Sequence, residues 1–219
     1  MTLIVGARCR DGIVLAADRR RLAKYEKGPE TNKLFLLSCG IALAGAGDDA
    51  VLNEARLFIE RRAEELKNQS SDVKLFDIVE ITMNIVNELV GYYRDKVEEP
   101  FGYVLGGLEN ITKGSARLYT IFGAGFSEVP WACLGLGSSY ARPLVELLLA
   151  QGDLSTEEVA RIMPTLFTLV SNVQTTVGGG VDLCNIIDEQ GVEEITHEEE
   201  ATLDTFRKVF LSAINIKTT

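Results

Sequence analysis

The sequence predicts an α+β fold in which two antiparallel sheets face each other between outer helix layers. Strand-like apolar runs come in pairs joined by tight turns, and helical runs also come in pairs. The pairs then alternate along the chain: four strands, two helices, three strands, two helices, two strands and a last helix. At 219 residues, with 46% apolar and 25% charged side chains, the chain is long enough for a large core. It reads as one domain over 1–219, without linker, repeat or low-complexity segment.

Residues 2–9 and 13–17 are strands joined through Asp11-Gly12, the pair that supplies the positive φ of a tight hairpin. Residues 33–38 and 41–46 form a second hairpin about Cys39-Gly40. A helix follows over 48–67, with Leu52, Ala55, Ile59, Ala63 and Leu66 on one face and Asp48 and Asp49 where the helix dipole favours negative charge. The same period returns over 72–96 at Leu75, Val79, Met83, Val86, Val90 and Tyr93. Strands are expected over 101–109, 116–125 and 131–137, separated by polar turns that include 126–130. Helices over 138–151 and 155–173 follow, the first stopped by Gly152 and the second opened by the capping box Ser155 to Glu158 and kinked by Pro164. A hairpin over 181–188 and 191–196 leads into a final helix over 197–210.

Hairpin geometry brings chemistry together. The start of one strand and the end of its antiparallel partner share an edge, so Thr2 lies near 18–21, and Lys33 lies near Gly45 and Ala46. If the strands adjoin in a meander, Thr2, Asp18, Lys33 and Gly45 meet at one rim. A threonine hydroxyl is a weak nucleophile, but a terminal threonine carries its own base, the α-amine. Lysine disfavours protonation of that amine, a carboxylate holds the lysine, and backbone N–H groups of the turn Leu43 to Asp49 can stabilise an oxyanion. This chemistry requires removal of Met1.

Other classes are excluded or left without support. A net charge of -10, from 32 acidic against 22 basic residues, opposes nucleic acid and anionic membranes as partners. The chain lacks an apolar run long enough for a membrane span, and its first residues read as a strand rather than a signal peptide, so a cytoplasmic location is expected. The four cysteines form no CxxC pair and read as buried free thiols, and no metal or other cofactor is expected. His197, the single histidine, lies in an acidic stretch that reads as an exposed helix start and is a poor candidate base.

The residues Thr2, "DGIVLAADRR", "NKLF" and "AGAGDDA" resemble the proteasome-like family of N-terminal nucleophile hydrolases, nearest to its β-type subunits. Element order carries the similarity over essentially the whole chain; the threonine-to-aspartate spacing matches without a gap, and the loop from aspartate to lysine is one residue shorter. The resemblance implies the four-layer αββα sandwich, with Thr2 as nucleophile and base, Asp18 and Lys33 as its charge pair, Gly45 as oxyanion donor and Ser138 hydrogen-bonded near the nucleophile. It places Arg20 as a structural arginine and a substrate pocket at Arg21, Thr31, Leu43 and Gly47, where the basic Arg21 favours an acidic substrate side chain. It also implies a homo-oligomeric ring acting on peptides or unfolded proteins. Gln174 and Val177 depart from the family, which usually has an aspartate and a serine there. The expected function is a threonine peptidase, with a transpeptidase or protein ligase and an inactive ring subunit as alternatives.

Overall fold

The computed structural model describes residues 2–23, 26–27, 30–70, 73–93, 101–110, 113–122, 125–150 and 153–198. The chain opens with β1 (Ile4–Cys9), β2 (Gly12–Asp18), β3 (Leu22–Ala23), β4 (Glu26–Lys27), β5 (Leu34–Leu37) and β6 (Ile41–Ala46). Helices α1 (Asp49–Gln69) and α2 (Leu75–Tyr93) follow, then β7 (Gly102–Asn110), β8 (Lys113–Phe122), β9 (Gly125–Glu128) and β10 (Trp131–Leu134). Helices α3 (Ser138–Ala150) and α4 (Thr156–Val173) precede β11 (Val181–Ile187), β12 (Gly191–Val192) and β13 (Thr196–Glu198).

One sheet runs β10-β1-β2-β11-β12, with β13 pairing β11 beyond β12; the other runs β5-β6-β7-β8-β9, and β3 pairs only β4. The two N-terminal hairpins therefore lie in different sheets, not in one meander. The central strands of both sheets alternate between two environments. On β1 and β2, Leu3, Val5, Val14 and Ala16 pack beneath α3 and α4 with Val145, Met163 and Val170. Their neighbours Ile4, Ile13, Leu15 and Ala17 face the other sheet and meet Ala42, Ala44, Val104 and Leu118. On that second sheet Ile41, Leu43, Tyr103 and Leu105 turn outward to Leu52, Ile59, Val79 and Val86 of α1 and α2. The result is the four-layer αββα sandwich. Close contact between the sheets depends on small residues: a Cβ at Gly106 would lie 2.6 Å from Ile186 Cδ1.

Several boundaries differ from expectation. Residues 125–128 form strand β9, adding an edge strand where a polar turn was expected. Residues 197 and 198 belong to β13 rather than to a helix, and the rest of the expected last helix lies outside the described residues, as do Gly152 and the expected ends of α2 at 72 and 94–96. The capping box of α4 forms as expected, and the helix runs on through Pro164. All four cysteines are free. Burial raises their thiols, Cys9, Cys133 and Cys184 to about 12 and Cys39 to about 11, so they are poor nucleophiles at neutral pH. Among the described residues, no helix is long and apolar enough to cross a membrane.

Leu118 tests the inter-sheet layer, because it is buried against Gly6 and far along β8 from the rim that carries Asp18. Leu118→Ala is expected to lower the unfolding free energy by about 2–5 kcal/mol, read as a lower urea midpoint at unchanged m-value.

Candidate active site

Asp18 ends β2 on the same face as Val14 and Ala16, and its side chain is fully buried. Its Oδ1 accepts the Leu3 N–H at 2.8 Å and the Lys33 Nζ at 2.8 Å, and its Oδ2 accepts the Gly178 N–H at 3.2 Å. The Asp18 N–H in turn donates to the Leu3 carbonyl at 3.0 Å. Both backbone polar groups of Leu3 are thus held by one residue, and this fixes the chain directly after Thr2. Thr2 is itself buried, and its carbonyl accepts the Gly137 N–H at 3.3 Å. Gly135 makes that approach possible: its φ is +88°, and a Cβ there would lie 2.1 Å from the Thr2 carbonyl oxygen.

Lys33 reaches this cluster from the second sheet. Its Nζ donates to Asp18 and also to the Arg20 carbonyl at 2.6 Å, with only 3% of the side chain exposed. Burial pushes the Lys33 ammonium below the ordinary lysine range, against the pull of Asp18. Burial likewise pushes the Asp18 carboxyl up, opposed by Lys33 and by the N–H groups of Leu3 and Gly178. Lys33 therefore releases a proton more readily than a surface lysine.

Arg20 holds the third side of the site. Its guanidinium donates to the carbonyls of Thr175 and Val177 at 2.8 and 2.6 Å, and its N–H donates to the Gly178 carbonyl at 2.7 Å. That grip sets the Gly178 N–H against Asp18, and the glycine run 178–180 allows this close backbone approach. Val177 is fully buried among Leu3, Val170 and Gly137, an apolar contact where the resembling family has a hydroxyl. Gln174 ends α4, its N–H on the Val170 carbonyl at 2.8 Å.

The structure brings together Thr2, Asp18 and Lys33 but corrects other assignments. The Gly45 N–H is committed to the Lys33 carbonyl at 3.1 Å and is not a free oxyanion donor. Two residues further along the same side of β6, the Gly47 N–H has no acceptor among the described residues; its φ of +143° and a would-be Cβ 2.4 Å from Phe101 Cβ require glycine. Ser138 opens α3 with its N–H on the Gly135 carbonyl, next to Gly137, whose N–H donates to the Thr2 carbonyl. Leu43 is buried in the layer beneath α1 rather than exposed at the rim.

A pocket of about 380 Å³ opens beside Lys33 and is lined by Thr31, Phe35, Gly45, Asp49, Asn53 and Glu30, among others. Gly45 thus serves the pocket and Gly47 does not line it, the reverse of the expectation. Arg21 reaches Asp49, with Nε 2.7 Å from Oδ2, so its charge is matched and no basic pocket results. Asp49, Leu52 and Asn53 escaped the sequence reading, although their i, i+3, i+4 spacing puts them on one face of α1. His197 lies on β13 with Nδ1 2.6 Å from Oδ1 of the buried Asp182.

Two facing antiparallel sheets between paired helices, with β1 opening at a rim beside a buried aspartate–lysine pair, define the fold class of the N-terminal nucleophile hydrolases. The chain belongs to the proteasome subunit family, whose family model, described as "Proteasome subunit", matches residues 2–186. It is similar to proteasome subunit beta 1 of Thermococcus kodakarensis, 28% identical over 205 residues that cover 92% of this chain and 96% of that one. It is also similar to a proteasome subunit alpha of Methanococcus maripaludis, 27% identical over 202 residues that cover 90% of this chain and 75% of the relative. Among solved structures, the Anbu (Gly-1) mutant from Hyphomicrobium sp. strain MC1 shares the fold with a TM-score of 0.75 at 20% identity, covering 99% of this chain and 94% of that one.

Asp18→Asn removes the countercharge of a buried lysine while keeping the size of the side chain. The variant is expected to lose about 3–5 kcal/mol of stability in chemical denaturation, because Lys33 stays buried without its partner. Gly135→Ala is expected to lose more than about 2 kcal/mol, from backbone strain together with the clash against Thr2.

Proposed function

We propose that the chain is an N-terminal threonine peptidase of the β-subunit type, active after Met1 is removed. The observation that carries this reading is the hydrogen-bonded cluster of Leu3, Asp18, Lys33 and the Arg20 carbonyl directly behind Thr2. The Thr2 Oγ attacks a peptide carbonyl while the α-amine takes its proton; the C–N bond then breaks, the leaving amine carries the proton away, and water hydrolyses the ester. Lys33 keeps the α-amine from holding its proton, and the N–H of Gly47, without an acceptor among the described residues, receives the oxyanion. Glu30 on the pocket wall supports a preference for basic over acidic side chains before the cleaved bond. Kinship with proteasome subunits supports assembly of copies into a ring that admits unfolded polypeptide, and four free thiols suit a reducing cytoplasm.

A second reading, a non-catalytic ring subunit, has its own support. The α-type relative is as similar as the β-type one, and Gln174 and Val177 supply neither the carboxylate nor the hydroxyl of the resembling family.

An intact mass before and after treatment with a peptide epoxyketone separates the two, since the probe requires both the amine and the hydroxyl of a terminal threonine. The peptidase reading expects loss of Met1 and one adduct, absent in Thr2→Ala. Retained Met1 and no adduct leave the non-catalytic reading. Analysis of products with an added amine distinguishes hydrolysis from acyl transfer to another chain. Lys33→Ala is expected to lower kcat/KM by about 10²–10⁴-fold, the usual range for loss of proton-transfer assistance.

A further inference from the structure

Beside the pocket runs a chain of alternating charges that the proposed chemistry does not use. Glu30 lines the pocket, and its Oε2 lies 3.2 Å from Arg19 Nη1. The Nε of the same guanidinium lies 3.5 Å from Oδ1 of Asp182, and that oxygen also meets His197 Nδ1 at 2.6 Å. Asp182 is 1% exposed, whereas the side chains of Glu30 and His197 are about half exposed at 51% and 56%.

Arg19 is therefore one cation shared between two carboxylates, one buried behind the rim and one on the pocket wall. Its contact with Asp182 is incomplete: Arg19 Nε and Asp182 Oδ2 are both shielded from solvent and make no hydrogen bond among the described residues. A buried carboxylate with an unused lone pair attracts whatever cation is in reach. Among the described residues, Asp182 on β11 is the titratable group that meets His197 across the β11–β13 ladder, and Arg19, just past β2, is the other charged group on that carboxylate.

Resting on the peptidase reading and its pocket, we propose that Glu30 is a specificity-determining carboxylate whose effective charge is set by His197 through Asp182 and Arg19. When His197 is protonated it supplies the countercharge of Asp182, Arg19 turns fully to Glu30, and the pocket presents little negative charge. When His197 is neutral, Asp182 draws on Arg19, and Glu30 is left freer to bind a cationic side chain. Protonation of His197 therefore lowers the preference for a basic substrate side chain, and loss of that proton raises it. The contacts are partly exposed, so the effect is about two- to five-fold.

The test is binding, independent of turnover. Acyl-peptide amides ending in arginine or in its neutral isostere citrulline are titrated calorimetrically into the Thr2→Ala protein at pH 5.5 and pH 8. The arginine preference is expected to rise two- to five-fold with pH, to become flat in His197→Gln, and to fall in Glu30→Gln at both pH values. A rise that persists in His197→Gln would come from the pocket carboxylates alone and overturns the proposal. An arginine preference untouched by Glu30→Gln, or no binding of either peptide, also overturns it. Binding with the expected pattern in a protein that the epoxyketone fails to label supports the charge chain while removing the peptidase reading.

Discussion

The carboxylate of Asp18 is the constraint around which the rim is organised. Fully buried, it must satisfy its lone pairs from the protein, and it does so from three distant segments: Leu3 at the head of β1, Lys33 before β5, and Gly178 before β11. Leu3 and Gly178 flank β2 within one sheet, while Lys33 comes from the other. A buried ion pair adds little net stability over an apolar alternative of the same shape. Its effect here is positional, because one carboxylate ties Leu3 and Gly178 of one sheet to Lys33 of the other.

Arg20 extends that constraint to a loop whose side chains are apolar or unengaged. Val177 packs into the layer under α4, so the loop has no side-chain hydroxyl at that position to direct toward Thr2. Its geometry is held instead through backbone carbonyls, two on the Arg20 guanidinium and a third on the Arg20 N–H. The Arg20 carbonyl meanwhile accepts Lys33, so a single residue fixes two of the three partners of Asp18. Polar side chains lost from the loop thus leave the support of the aspartate–lysine pair intact, and what changes is the chemistry available beside the threonine.

Much of the fold was legible because its signals are local. The Asp11-Gly12 turn, the apolar stripes of α1 and α2, and the capping box of α4 each follow from neighbours in sequence. Strand β9 was not, since Gly125–Glu128 is an edge strand with two exposed polar residues and carries no apolar alternation. The rim cluster was anticipated for a partly mistaken reason: the hairpins stack across two sheets, and Asp18 and Lys33 meet because the strand ends coincide at one edge. The N–H groups of Gly45 and Gly47 point to the same side, and how far the chain before β5 continues alongside β6 decides that the first meets the Lys33 carbonyl while the second has no acceptor among the described residues. Pocket residues from α1 depend on how the helix docks, which local sequence does not encode.

The docking of α1 also explains why two adjacent aspartates do different work. Asp48 is the N-cap, its side chain accepting the N–H groups of Ala50 and Val51, which begins the helix at the end of β6. With the cap supplied, Asp49 is free to face the pocket and to neutralise Arg21. Tyr103 then fixes the first turn from beneath, its hydroxyl donating to the Leu52 carbonyl at 2.9 Å, while Gly45 leaves room for Leu52 and Tyr103 to close against the strand. A side chain at position 45 would fill the pocket from one side and push α1 away from the other. The pocket therefore depends on the same short segment that ends β6 and carries the N–H of Gly47, and a change in its shape moves the group proposed to receive the oxyanion.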